Sequence, residues 1–152
     1  MIVRNADKQD LAAIVDMGAK FHAASPIHQN IPFDFESFYC FCETSLTSPD
    51  IGFWVAEHES ALVGMTAAIV YPAYFNAHRH IAQELFWWVE EAARGAGAGR
   101  ALIEAIEAWA KDTGADAVFM LALADKNEEK MHNLYAQRGY RPLERTFIKE
   151  VL

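Results

Sequence analysis

Cysteine is nearly missing from this chain: Cys40 and Cys42 are the only two in 152 residues. No second pair exists to complete a zinc set. Two positions apart in a helix, the thiols point to different sides, and both read as buried. Basic residues are scarce as well, 13 Lys and Arg against 21 Asp and Glu, for a net charge of −8. That balance argues against nucleic acid or an anionic membrane as partner and suits a cationic substrate. No apolar run approaches the roughly 18 residues of a membrane span. The opening MIVRNADKQD is not a signal peptide, so the expected location is the cytoplasm. Repeats, low-complexity tracts and linkers are lacking. With 53% hydrophobic and 22% charged residues, the chain reads as one globular domain over 1–152, large enough to bury a core.

What the chain does have is one dense stretch, AQELFWWVEEAARGAGAGRALIEAIEAWAKDTG, at 82–114. Leu85, Phe86, Trp87, Trp88 and Val89 are five large apolar residues in a row, as in a strand buried on both faces. Glu90 and Glu91 end the run, and Gly95, Gly97 and Gly99 follow at alternate positions. From Ala98 the apolar residues Leu102, Ile103, Ile106, Trp109 and Ala110 recur at helical spacing, and Gly114 stops the helix. A helix start offers unpaired amide N–H groups and partial positive charge; glycines let a ligand close, and Arg94 and Arg100 add formal charge. The stretch is a candidate pyrophosphate cradle. It is not a Walker A loop, because Arg100-Ala101 follows Gly99 where Lys-Ser/Thr is needed. The spacing G-x-G-x-G and its late position also differ from the dinucleotide fingerprint G-x-G-x-x-G.

The remaining elements follow in order. Ile2 to Arg4 is a short strand. Asp7 can cap a helix from about Lys8 to His22, and Asp34 a second from Phe35 to about Ser45, with a loop from Ala23 to Pro32 between them. Gly52 to Glu57 and Ala61 to Tyr71 are strands joined as a hairpin. Pro72 ends the second, and YFNAHRH is a loop whose His78 and His80 lack a third metal ligand. Ala117 to Leu123 is a buried strand, and Glu128 to Arg138 a helix stopped by Gly139. Arg145 to Val151 alternates as a last strand, with a short extra strand near Tyr140.

Two motifs now identify a resemblance. Arg94-Gly95-Ala96-Gly97-Ala98-Gly99 matches R/Q-x-x-G-x-G/A, the acyl-CoA pyrophosphate motif of the GNAT superfamily of N-acyltransferases. Leu134-Tyr135-Ala136-Gln137-Arg138-Gly139-Tyr140 matches that superfamily's L-Y-x-x-x-G-F/Y, with Tyr135 lying 36 residues after Gly99. The element order resembles the family over essentially the whole chain. Two positions depart from it. Glu128 stands where an asparagine often precedes the motif tyrosine, with Asn127 one residue earlier, and no proline follows Glu90-Glu91.

The resemblance implies an α/β (α+β) fold. Its central mixed, mostly antiparallel sheet would have six to seven strands, splayed at the acyl-CoA site and flanked by about four helices. It implies an N-acetyltransferase in which the amine attacks acetyl-CoA directly, with no metal. The pantetheine arm would lie by the backbone near Val89. The pyrophosphate would sit on the stretch from Gly95 through Ala96, Gly97, Ala98 and Gly99 to Arg100, beside Arg94, with Asn127 a further candidate contact. Tyr135 would protonate the leaving thiolate. Glu84, the one acid inside the central strand, is either the general base, with a pKa raised by its apolar neighbours, or the partner of an arginine. His28, Phe33 and Phe35, between the first two strands, would contact the acceptor, a small-molecule or peptide amine, and a homodimer is the expected assembly. The alternative is a CoA-binding sensor or scaffold that transfers nothing.

Overall fold

Asp7 starts the first helical segment in a computed structural model that describes residues 1–151. Its carboxylate accepts from the Gln9 N–H at 2.8 Å, while Asp10 accepts from the Asp7 N–H at 2.9 Å. This reciprocal capping box opens a short 3-10 turn that runs into helix α1, Leu11–Ala24. Asp34 caps α2, Phe35–Ser45, by accepting from the Ser37 N–H at 2.7 Å. Both caps are those that the sequence predicts.

Strand β1 (Ile2–Asn5) precedes α1; β2 (Ile51–His58), β3 (Ala61–Ala73) and β4 (Asn76–Val89) follow α2 as a meander. Helix α3 (Ala98–Asp112), strand β5 (Ala117–Phe119) and helix α4 (Glu128–Gln137) complete the chain. The sheet order is β1-β2-β3-β4-β5, antiparallel throughout except that β5 lies parallel to β4. One face carries α1 and α2 over Phe53, Val55, Met65, Ala67 and Phe86. The other carries α3, whose Leu102 and Ile106 meet Trp54, Ala56, Ala68 and Val89. Leu102, Ile103 and Ile106 are fully buried, and truncating one of them to alanine costs about 2–5 kcal/mol.

One irregularity organises the site. Ala67 pairs with Phe86 while Ala68 pairs with Glu84, so Leu85 is an extra residue in β4. A bulge of this kind re-aims the side chains that follow it. Glu84, opposite Ala68, therefore shares the α3 face, and Phe86 turns to the α1–α2 face. The Thr66 hydroxyl, buried beside the bulge, donates to the Phe86 carbonyl at 2.8 Å.

The structure corrects the sequence at several places. Among the described residues five strands form, not six to seven. Strand β3 continues through Pro72 to Ala73, where a register shift accommodates the missing N–H. Strand β4 begins at Asn76, so His78 and His80 lie in a strand. That stretch is exposed or half-buried and polar, which hid it from any apolar pattern. Strand β5 stops at Phe119 instead of Leu123, and neither Arg145 to Val151 nor the vicinity of Tyr140 forms a strand. Phe147 and Val151 are 88% and 92% exposed: the alternation is present, but β5 offers an edge only three residues long. Cys42 is buried, and burial pushes its thiol up to about 12; Cys40 is exposed, contrary to expectation.

Candidate active site

The parallel ladder between β4 and β5 has three pairs, Ile81–Ala117, Ala82–Val118 and Gln83–Phe119. It ends where Glu84 intervenes. The Glu84 carboxylate accepts the Leu121 N–H at 3.0 Å, taking a main-chain donor that would otherwise be free to continue the ladder. Tyr135, on α4, donates its hydroxyl to the Leu121 carbonyl at 2.7 Å. One residue of the departing chain is thus gripped at its N–H by the candidate base and at its C=O by the candidate acid. Both side chains are enclosed, Glu84 at 4% and Tyr135 at 7% exposure.

Burial dominates the electrostatics. It pushes the Glu84 carboxyl up to about 7, against the opposing pull of the Leu121 N–H. It pushes the Tyr135 phenol up as well, with the nearby Glu84 charge adding to the effect. Glu84 therefore titrates near neutrality and Tyr135 stays protonated well beyond it. Of the two roles left open for Glu84, arginine pairing is not what the structure places there: its polar contact is a backbone amide.

The raised carboxyl has a consequence for stability. A carboxyl that titrates at about 7 folded and 4.5 unfolded binds more protons in the folded state between those values, so stability falls as pH rises through that window. Glu84→Gln removes the penalty and keeps an oxygen for Leu121. Its melting temperature relative to the parent should climb from about pH 5 and level off above about pH 7. Melting curves at several pH values check this, and a constant offset would contradict it.

Beyond Glu84 the edge of β4 lies open. The Glu90 N–H points at β3, bonding Val63 O at 2.8 Å. Strand alternation then turns the Val89 N–H to the opposite side, where β5 has already ended. The chain makes a 3-10 turn at Glu91–Ala93 and enters the glycine segment. Gly95 and Gly97 have φ of +87° and +94°, and a Cβ on either would meet nothing within 4 Å. These two glycines serve the backbone conformation and leave open space above it. Gly99 differs, since a Cβ there would lie 2.6 Å from the Trp87 ring; it is a packing glycine.

The first bond of α3 runs from the Ala101 N–H to Gly97 O at 3.0 Å. The amides of Ala98, Gly99 and Arg100 therefore have no partner within the helix. The Ala96 N–H already bonds Ala93 O at 3.3 Å, so Ala96 contributes shape to the turn and not a donor. Open glycines, three free amides and the exposed Arg100 fit a pyrophosphate. Arg94, expected beside the pyrophosphate, has contacts of its own. Its Nε donates to the Val89 carbonyl at 3.0 Å and its guanidinium lies 4.8 Å over the Trp88 ring, so it braces the end of β4. Asn127 is the exposed residue preceding α4, without a side-chain cap bond.

On the other face, Phe33 sits 5.4 Å from both His22 and Phe38, and Phe38 5.7 Å from Phe86. This aromatic chain leads from the expected acceptor loop to β4. His28 and Phe35 lie at its exposed end, with His28 Nδ1 2.6 Å from Ser25 O and Phe35 4.9 Å from Phe33. Sequence reasoning did not single out Leu121 or Trp87. The first has no chemistry in its side chain, and the second is hidden in the apolar run that the bulge divides between two faces.

Comparison with known proteins follows the same lines. The family model described as the acetyltransferase (GNAT) family matches residues 19–140. Similar solved structures include an acetyltransferase of Trypanosoma brucei, with a TM-score of 0.75, 19% identity and 99% of each chain covered. An aminoglycoside acetyltransferase from an uncultured soil metagenomic sample gives a TM-score of 0.74 and 22% identity, over 99% of this chain and 98% of that one. A predicted acetyltransferase of Clostridium acetobutylicum, solved with acetyl-CoA, gives 0.78 and 16%, over 98% and 95%. At these identities the likeness is one of fold. No curated protein sequence matches the chain.

Proposed function

This chain belongs to the acetyltransferase (GNAT) family, and we propose that it transfers the acetyl group of acetyl-CoA directly to a primary amine. It is an acyltransferase by family; the acceptor and the roles of individual residues are the proposal. The observation that carries it is the grip of Glu84 and Tyr135 on Leu121, beside the open edge of β4 and one turn away from the glycine segment.

Each residue of the site has a proposed role. Ala98, Gly99 and Arg100 hold the pyrophosphate by main-chain amides and charge, and Gly95 and Gly97 keep the backbone open to it. The Val89 N–H polarises the thioester carbonyl and stabilises the oxyanion formed on attack. Glu84, through water because that carboxylate is enclosed, takes the ammonium proton, and the freed amine nitrogen bonds to the thioester carbon. As the carbon–sulfur bond breaks, the sulfur takes a proton from Tyr135, and the proton that the nitrogen then sheds restores the phenol. Products are the amide and free CoA thiol. A base titrating near 7 suits a reaction that must deprotonate an ammonium close to neutrality.

The aromatic chain from Phe33 to Phe86 and the acidic net charge favour an amine that approaches as a cation and lies against flat apolar surface. His28→Ala and Phe33→Ala should raise the Michaelis constant of the amine while changing acetyl-CoA affinity by less than about twofold, or under ~0.5 kcal/mol. An acetylation screen supplies the amine, and steady-state kinetics with calorimetry measure both constants. Weakened acetyl-CoA binding with an unchanged amine constant would move this loop to the cofactor side.

A further inference from the structure

Helix α4 has one buried residue among its ten, Tyr135. A helix that short is marginal by itself and needs an apolar face to hold it; Met131 and Leu134 stand half-buried beside Tyr135, so that face is narrow. A polar clasp to α3 adds to the holding. Arg138 donates through Nε to Glu107 Oε1 at 3.1 Å and through Nη2 to Glu107 Oε2, and a third nitrogen reaches Glu104 at 3.3 Å. The Tyr140 hydroxyl donates to Glu107 Oε1 at 3.0 Å. The side chains of Arg138 and Glu107 are 19% and 31% exposed, so the two-point fork is partly withdrawn from water, where such pairs are strongest. The Arg138 hydrogen bond, helped by that of Tyr140, holds the Glu107 carboxyl below the usual carboxylate range.

The clasp closes on the candidate acid through the main chain. Gly139, at φ +87°, reverses the chain after α4. The Tyr140 N–H then returns to the Tyr135 carbonyl at 3.0 Å, and the two rings pack at 5.6 Å. Tyr135 is fixed at two ends, its hydroxyl by Leu121 and its backbone and ring by Tyr140, and Tyr140 is anchored on Glu107.

We propose that Glu107 is the positioning residue for Tyr135: by fastening Arg138 and Tyr140 to α3, it sets the last turn of α4 and so the place of the phenol beside Glu84. This rests on Tyr135 being the proton donor. Glu107 lies in neither sequence motif. It sits nine residues after Ala98, about 13 Å along the helix axis from the pyrophosphate amides, so its loss should spare acetyl-CoA binding and strike the chemical step. Misplacing a reacting group by about 1 Å costs on the order of 10²-fold.

Steady-state kinetics on Glu107→Gln, Tyr135→Phe and the double variant test the proposal. Glu107→Gln should lower kcat about ten- to a hundredfold with KM for acetyl-CoA within about twofold. In the Tyr135→Phe background it should lower kcat no further. Glu104→Gln, at the outer edge of the clasp, should change kcat by less than about twofold. An unchanged kcat in Glu107→Gln, or a fall of equal size in both backgrounds, overturns the positioning role while leaving Tyr135 as the acid. A silent Tyr135→Phe overturns the acid assignment and the proposal with it. If Glu107→Gln does not fold, Arg138→Lys, which keeps the charge and loses the fork, should give the same split between kcat and KM.

Discussion

Tyr135→Phe should cut turnover by about 10²–10⁴-fold and leave acetyl-CoA affinity within about twofold. The substitution removes one oxygen. The ring still packs on Tyr140 at 5.6 Å, and the pyrophosphate amides lie on a different helix. What disappears is a hydroxyl whose proton is secure at working pH, since burial raises the phenol above its ordinary value. Such a group donates only when a stronger acceptor, a developing thiolate, arrives. The Leu121 carbonyl loses its donor as well, a cost on the order of 1 kcal/mol in stability. A thermal melt taken beside the kinetics separates that loss from the catalytic one. Turnover that stays at the parent level would make the phenol a fastening for the chain after β5 and nothing more.

Arg100→Glu should weaken acetyl-CoA about 30-fold, and the variant should remain fully folded. Arg100 is exposed and occupies the third position of α3, where glutamate favours a helix start. The substitution therefore acts on the ligand and not on the fold. Two charges of unlike sign about 4 Å apart attract by about 1 kcal/mol in water. Exchanging a cation for an anion beside pyrophosphate doubles that to about 2 kcal/mol, and each 1.4 kcal/mol is about tenfold in affinity. Gly97→Val would be a poorer probe: φ at Gly97 is +94°, so a β-branched residue would strain the turn before any ligand arrived. Calorimetric titration decides the matter, and an unchanged dissociation constant would remove the pyrophosphate from this turn.

How much of this was legible in the sequence depended on whether the physics was local. The glycine turn, the start of α3 and both helix caps are short-range devices, and each stands where the residues place it. Tyr135 was legible because Gly139 and Tyr140, which fold back on it, lie within five positions of it. Glu84 stood out as a charge inside an apolar strand, and its burial follows. Its partner did not stand out, because the Leu121 N–H is a backbone group 37 residues away. The bulge at Leu85 was hidden for a different reason. In a run of five apolar residues, both faces are apolar, so a one-residue slip leaves no trace in the pattern. The clasp of Glu107 joins two helices across 31 positions, and on either helix alone it reads as a solvated charge. At the end of the chain, Arg145 to Val151 has the period of a strand without an edge to receive it; Arg145 instead pairs with Glu128 at 3.2 Å.

The proposed role of the grip on Leu121 is transfer, and not only support of a CoA-binding fold. Release of free CoA thiol, followed in time with acetyl-CoA alone and with acetyl-CoA plus each amine of a panel, tests it most directly. The expected result is release that depends on the amine, matched by acetylated product, with an acidic limb near pH 7 that Glu84→Gln abolishes. Firm binding of acetyl-CoA with no amine-dependent release from any member, across polyamines, aminoglycosides, amino acids and peptides, would contradict it and leave a CoA-binding sensor or scaffold.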